Sequence, residues 1–517
     1  MLGRIKITTD VPVITYENCI SVIQKAIGKH RLNAARIQEL LDFEEGNQPL
    51  LREKQYRTDI DCQVVDNIAN EIVEFKVGFQ YGNPITFKKR NTVEGRIDAV
   101  QLWNDQYLLT DSDSANQELA RFFEIGGICN TFIDTNEEYK EGENENYYIR
   151  TVLDPRNSFM VYSSYYEDKR EMLGVTFRKD EDGVTHYTAF SKDFRFEIKN
   201  WQIQNGAEVK DEWMHDIKSG EINPLHVIPI TEFFRSYDRM GCFERQIDEM
   251  NNLNLLISDF SNDVDQNTQT IWWTNDCEFE TVQIQNEDGT VTEKVKHPKS
   301  NEWLQTYTTQ DGKIPKVQPL TVNYDYAGIL SNIITQRALI LQKCNVPQRN
   351  DNSGGSTGIA MSDATGWSAA ETAACKEEMV ISKSLRKEIK VICAAIRESK
   401  CPMDSPLREL VPADLEPSIK RQKSYELSVK TTAIATLLGQ GFSLEDTLDA
   451  VQLFPDPAQV IERSKEGVEK KQNLSEEKTE VTAQSDDPIH QIGNSPTIDG
   501  NSNETVEVKE KTEVKEQ

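Results

Sequence analysis

Gly354-Gly-Ser356-Thr-Gly358 matches the G-x-S-x-G spacing of a hydrolase nucleophile elbow, in which a serine on a strained strand-to-helix turn attacks an acyl carbonyl. That chemistry requires a buried strand just before the serine and a histidine after it. Here Pro347-Gln-Arg-Asn-Asp-Asn-Ser precedes it, and the one later histidine is His490, in a polar C-terminal stretch. A serine hydrolase using Ser356 is therefore carried only as an alternative. Asp111 and Asp113 are the nearest thing to a carboxylate pair, but Asp-Ser-Asp-Ser before an apolar run suits a turn and a helix N-cap better than acid–base work. Six isolated histidines show no metal-ligand spacing, and His226 beside an apolar run reads as a half-buried core residue. Gly28-Lys29 is followed by His30, so no phosphate-cradling loop is present, and any ATP-driven motor must be another protein. The expectation is a protein that is not an enzyme and holds no cofactor or metal.

Composition narrows the class. Nine cysteines stand singly at irregular spacing with no C-x-x-C, which argues against a disulfide framework; Cys344 and Cys393 fall on apolar helical faces, where cysteine is a small hydrophobe. No run approaches the length needed to cross a bilayer, and the N-terminus lacks the apolar core of a signal peptide. A net charge of −28 excludes simple adhesion to nucleic acid. It is compatible with a surface past which a polyanion slides, though composition alone favours plain solubility.

The elements that would position any site centre on residues 241–398. Phe243, Ile247, Met250, Leu253, Ile257, Phe260 and Val264 recur at helical spacing, and Tyr326, Ile329, Leu330, Ile333, Ile334, Ile340, Leu341 and Cys344 repeat the pattern until Pro347 stops it. Between these two long helices lies a segment with β-type alternation and glycine turns. A polar Gly/Ser/Asn loop follows, then a third helix from Ser368 to about Glu398. Upstream, a helix beginning at Tyr16 is expected to end at Gly28, with a second from Leu32 to before Gly46. Asp61–Val77 reads as amphipathic and Ser114–Phe123 as a short helix. Strands are expected at Tyr147–Leu153, Phe159–Tyr162, Met172–Arg178, Thr185–Phe190, Arg195–Ile198 and in His226–Phe234, with a turn at Asp182-Gly183. Lys423–Leu438 reads as a helix, and Ser443 suits the N-cap of another. From about Glu466 the chain loses aromatics and fills with Glu, Lys, Ser, Asn and Thr, the composition of a disordered tail.

This order of parts resembles the portal proteins of tailed bacteriophages, in the branch common among phages of Gram-positive hosts. The likeness lies in Asn67-Ile-Ala-Asn-Glu-Ile-Val-Glu-Phe-Lys-Val-Gly-Phe-Gln-Tyr-Gly-Asn-Pro-Ile, Ile228-Pro-Ile-Thr-Glu-Phe, Phe243-Glu-Arg-Gln-Ile-Asp-Glu-Met-Asn-Asn-Leu-Asn, Ser356-Thr-Gly-Ile-Ala-Met and Gly441-Phe-Ser-Leu-Glu-Asp-Thr-Leu through Leu453-Phe-Pro-Asp-Pro. It spans roughly residues 15–465. The resemblance implies an α+β fold: a mixed wing (1–240), a stem of two long helices (241–266 and 323–346), a small β-rich clip (267–322), a tunnel loop (347–358), a long wing helix (359–402), a helical crown (403–460) and a disordered acidic tail (461–517). It also implies a homo-oligomeric ring of about twelve subunits around an open axis. That ring would sit at a capsid vertex of the virion after assembly in the host cytoplasm, apart from any membrane. It would nucleate capsid assembly with the major capsid and scaffolding proteins, dock the terminase large subunit, pass double-stranded DNA, and later bind the head–tail adaptor. Another virion structural protein, such as a minor head protein, is the nearer alternative.

On that reading Gln348, Arg349, Asn350, Asp351, Asn352 and Ser353 form the DNA-facing loop, with Arg349 the one cation able to touch phosphate. Ile257, Phe260, Ile333, Ile334 and Leu341 pack the stem. Trp272, Trp273 and Trp303 either fill the core of the small β module or anchor a partner ring. The small-sided Trp367-Ser-Ala-Ala-Glu-Thr-Ala-Ala start of the third helix departs from the family pattern.

Overall fold

The computed structural model describes residues 3–50, 60–90, 97–140, 142, 145–210, 216–268, 271–275, 277–278, 281–285, 291–295, 307–308, 316–320, 325–348, 366–421, 427–451, 453, 460–461 and 464. The chain divides into two compact units, Met1–Ser424 and Tyr425–Gln517.

In the first unit, a helix α1 (Tyr16–Glu44) crosses a seven-stranded sheet. Its strands run in the order Thr8–Thr9, Ser158–Ser163, Glu171–Lys179, Thr185–Phe190, Phe194–Lys199 and Glu221–Ile222, with Gln202–Ile203 beside Phe194–Lys199. The register pairs Phe159 with Val175, Val175 with Ala189 and Ala189 with Phe196, so alternate residues of four strands share one face. That face packs on Cys19, Val22, Ile23, Ala26 and Ile27 of α1. Helix α1 does not end at Gly28: it is continuous, because apolar residues on both sides of the glycine are buried. A mid-helix glycine costs only about 1 kcal/mol against alanine, less than either flanking stripe contributes. Gly183 takes φ 77° in the turn foreseen at Asp182-Gly183.

A second sheet, Ile230–Phe234 / Ile128–Thr135 / Tyr148–Leu153, is antiparallel throughout. Around it pack α3 (Ile97–Leu109), which the sequence reading missed, α4 (Ser112–Gly126) and the long helix that closes this unit's core. Helix α2 (Ile68–Tyr81) begins later than the amphipathic pattern suggested, because Asp61–Asn67 run non-helical along another helix. Asp111 occupies the N-cap position of α4 with φ 51° but makes no side-chain capping bond. His226 is not half-buried: it is exposed, at φ 50° in the turn before Ile230.

Helix α5 (Ile247–Thr268) follows a 3-10 turn at Glu244–Gln246 and leads to a β-rich excursion. There Ile271–Asn275 pairs with Lys316–Leu320, and Thr281–Gln285 with Val291–Val295. Helix α6 (Tyr326–Lys343) returns, with Asp325 Oδ1 accepting from Gly328 N–H at 2.9 Å, and α7 (Trp367–Glu398) follows. Leu415–Ser418 pairs with Thr86–Lys89, tying residues just past α7 into the first unit. In the second unit, helices Leu427–Gly439 and Leu444–Val451 are joined by a turn; Ser443 Oγ accepts from Asp446 N–H at 3.1 Å, the cap anticipated there.

Candidate functional site

Every fourth residue of α5 from Asn254 to Asn262 is polar, and all three such side chains are buried. They bind the backbone of the extended segment beside them. Asn254 Oδ1 accepts from Asp66 N–H at 2.9 Å, Ser258 Oγ from Val64 N–H at 3.0 Å and Asn262 Oδ1 from Cys62 N–H at 2.7 Å. The match is geometric: four helical residues advance about 6.0 Å and two extended residues about 6.6 Å. Asn254 also donates to Gln48 Oε1 at 2.6 Å. A helix face that apolar periodicity would leave to solvent is thus satisfied by the backbone of a non-helical segment.

Helix α6 runs antiparallel to α5. Phe260 and Tyr326 meet edge to face with centroids 5.9 Å apart, Asn252 donates to Gln336 at 3.2 Å, and Lys343 pairs with Glu249. Arg337 reaches Asp66 at 3.0 Å and also pairs with Glu71, clamping α6 to the same extended segment and to α2. Met250, Leu253, Ile333, Ile340, Leu341 and Cys344 join Leu40, Phe43, Ile68, Ile72 and Val73 in one core. Ile257 and Phe260 pack against that core half-buried. Ile334 does not enter it: it is 59% exposed, one turn from Leu330 at 48%. Farther along, Trp273, Val282, Ile284 and Val291 are exposed as well. Apolar side chains thus stand in water both on α6 and in the β-rich excursion.

At the far end of α6, Gln348 donates to the Ala338 carbonyl at 2.9 Å, anchoring the first residue of the polar loop. Arg349, Asn350, Asp351, Asn352, Ser353 and Trp303 lie outside the described residues, as do Ser356 and His490. Trp272 and Trp273 lie on the strand opposite Pro319 and Gln318.

The base of the helix pair is held by buried charge. Glu244 Oε1 binds Arg4 at 2.5 Å and Arg36 at 3.1 Å, and its other oxygen accepts from Gly241 N–H at 3.1 Å. Glu377 of α7 pairs with Arg235 and with Lys76 at 3.5 Å, and accepts from Gln80 at 2.9 Å. Arg235 also binds Glu124 at 2.9 Å. Burial, and then Glu377 nearby, push the Glu124 carboxyl up to about 7, against the pull of Arg235. Three turns farther along α7, Glu388 binds Arg150 at 2.9 Å. No periodicity announces such pairs, because an isolated Glu reads the same in water and in a core; only the partner from a distant element distinguishes them.

Burial pushes the Cys19 and Cys393 thiols up to about 12 and Cys344 to about 11, which leaves them unreactive. Among the described residues no group of three His, Cys, Asp or Glu side chains is placed to hold a metal, and no helix is long and apolar enough to cross a membrane. Residues 23–474 match a family model described as phage portal protein, SPP1 Gp6-like. No curated protein matches.

Proposed function

Because the chain belongs to the SPP1 Gp6-like phage portal protein family, a structural and non-enzymatic family of the virion active in genome packaging, we propose that its copies close into a ring whose axis is a channel for double-stranded DNA. Membership in a non-enzyme family overturns the hydrolase alternative on Ser356. In this reading α5 and α6 are the stem, the β-rich excursion is the clip that docks the terminase large subunit and later the head–tail adaptor, and the loop after Gln348 borders the channel. The ring sits at a capsid vertex for packaging, retention and ejection, in contact with capsid and scaffolding proteins.

The observation that carries the proposal is the uncovered apolar edge of the helix pair, Leu330 and Ile334 on α6. A ring built by one repeated contact presents such an edge to a different surface of the next copy, so every subunit is covered once the circle closes. Electron micrographs of the purified chain test it. Top views with a central pore are expected; a persistent solitary particle at high concentration refutes it.

A further inference from the structure

Helix α7 carries its charges in an inverted arrangement. Its buried acids, Glu377 and Glu388, lie eleven residues apart, three turns, on the face turned to the core. Its exposed face carries bases at Lys383, Arg386 and Lys390, with Lys387 half-buried beside them. These positions follow i, i+3, i+4, i+7, one continuous stripe. Lys387 pairs with Glu171, but Lys383, Arg386 and Lys390 meet no carboxylate among the described residues.

Other elements extend the stripe. Lys383 stands over the Tyr237 ring at 5.9 Å, and Lys387 over Tyr162 at 6.0 Å. Lys6 stands over the same Tyr162 ring at 4.2 Å, on an N-terminal segment fixed by Asn33, whose side chain exchanges two hydrogen bonds with the Ile5 backbone at 2.7 and 2.9 Å. Burial, and then Arg239, lower the Lys6 pKa against the pull of Glu232. The floor is rigid. Tyr162 donates to Glu232 at 2.5 Å, Glu232 pairs with the buried Arg239, and Arg239 holds φ 55°. Tyr237 is 76% exposed.

A gathering of bases in a chain of net charge −28 is a focus for anions. Its size and surroundings select among them. Duplex DNA is a long polyanion whose phosphates would run past the stripe onto a chain of net charge −28. A short acidic peptide places a few carboxylates on the lysines without that repulsion, and exposed tyrosine beside cations is the composition of a protein-binding hot spot. The exposed apolar edge that suits self-association lies elsewhere, on α6. We propose that this lysine- and tyrosine-studded face of α7 and the N-terminal segment docks a short acidic segment of a second, different protein.

Fluorescence anisotropy of the full chain with a labelled oligo-glutamate peptide tests this, beside a short labelled DNA duplex. Binding of the peptide that weakens with added salt is expected, with at least about tenfold loss in Lys383→Gln/Arg386→Gln/Lys390→Gln. Lys6→Gln, on a different element, should weaken it independently should the triple variant fold poorly. Ring assembly should be unchanged in both. No peptide binding, or equal binding by all variants, refutes the proposal. So does tight binding of the duplex that the peptide fails to displace. Loss of rings in well-folded variants would assign the face to contact between copies and overturn it too.

Discussion

The backbone N–H of Cys62 donates to Asn262 Oδ1 at 2.7 Å, joining residues 200 positions apart and fixing α5 to a non-helical segment. Two turns back, Asn254 makes the same kind of bond to Asp66. The helix pair therefore has one polar and one apolar attachment to the body, and only its remaining apolar edge is open.

Asn254→Ala removes the acceptor for the half-buried Asp66 N–H and the donor to the buried Gln48 Oε1. A loss of about 1–3 kcal/mol for each unsatisfied group is expected. Hydrogen exchange at Val64 and Asp66 should accelerate before exchange in α1 does.

Ile334→Asp should leave the fold of the single chain within about 0.5 kcal/mol of wild type, since the side chain is exposed. Ring formation should fail, because a desolvated carboxylate would then face the neighbouring copy. Analytical ultracentrifugation with circular dichroism separates the two effects.

Glu124 gives a pH signature. Its folded-state pKa lies above its ordinary value, so the native state holds a proton that the unfolded chain releases as pH rises from about 4.5 to 7. The contribution to stability is fully present below that window and is lost as pH climbs through it. Thermal midpoints from pH 5 to 8 should fall more steeply in wild type than in Glu124→Gln.

Gly241→Ala should destabilise the entry into α5, because a Cβ there would sit 2.1 Å from the Ile125 carbonyl oxygen. Shifting that backbone should cost about 1–3 kcal/mol or more. Chemical denaturation of the variant measures it.

Arg150→Met alone strands Glu388 in the core and should cost about 3–5 kcal/mol, whereas Arg150→Met/Glu388→Leu should recover much of that loss. Parallel denaturation curves for the two variants decide it.

Much of the fold was legible in the sequence where one face of an element is apolar. The β-rich runs at Thr185–Phe190 and Phe159–Tyr162 became strands, and the stripes around Met250 and Ile340 became buried helix faces. What pattern did not carry was polar. Asp61–Asn67 resembles a helical stripe because Val64 and Val65 stand four and three residues from Ile68, yet the segment stays non-helical through side-chain oxygens supplied from α5. Likewise Glu124, Glu244, Glu377 and Glu388 look like surface acids until Arg235, Arg4 and Arg150 arrive from other elements. For the candidate surface, periodicity told which residues of α6 are apolar but not which edge stays open; Ile333 is buried and Ile334 is not.

The three bonds from Cys62, Val64 and Asp66 onto α5 also carry a mechanical meaning. A pull along the helix loads them together in shear, and slipping to the next register requires all three to break before any can re-form. A tug across the helix opens them one after another, starting from an end. The joint is therefore stiff lengthwise and yielding sideways.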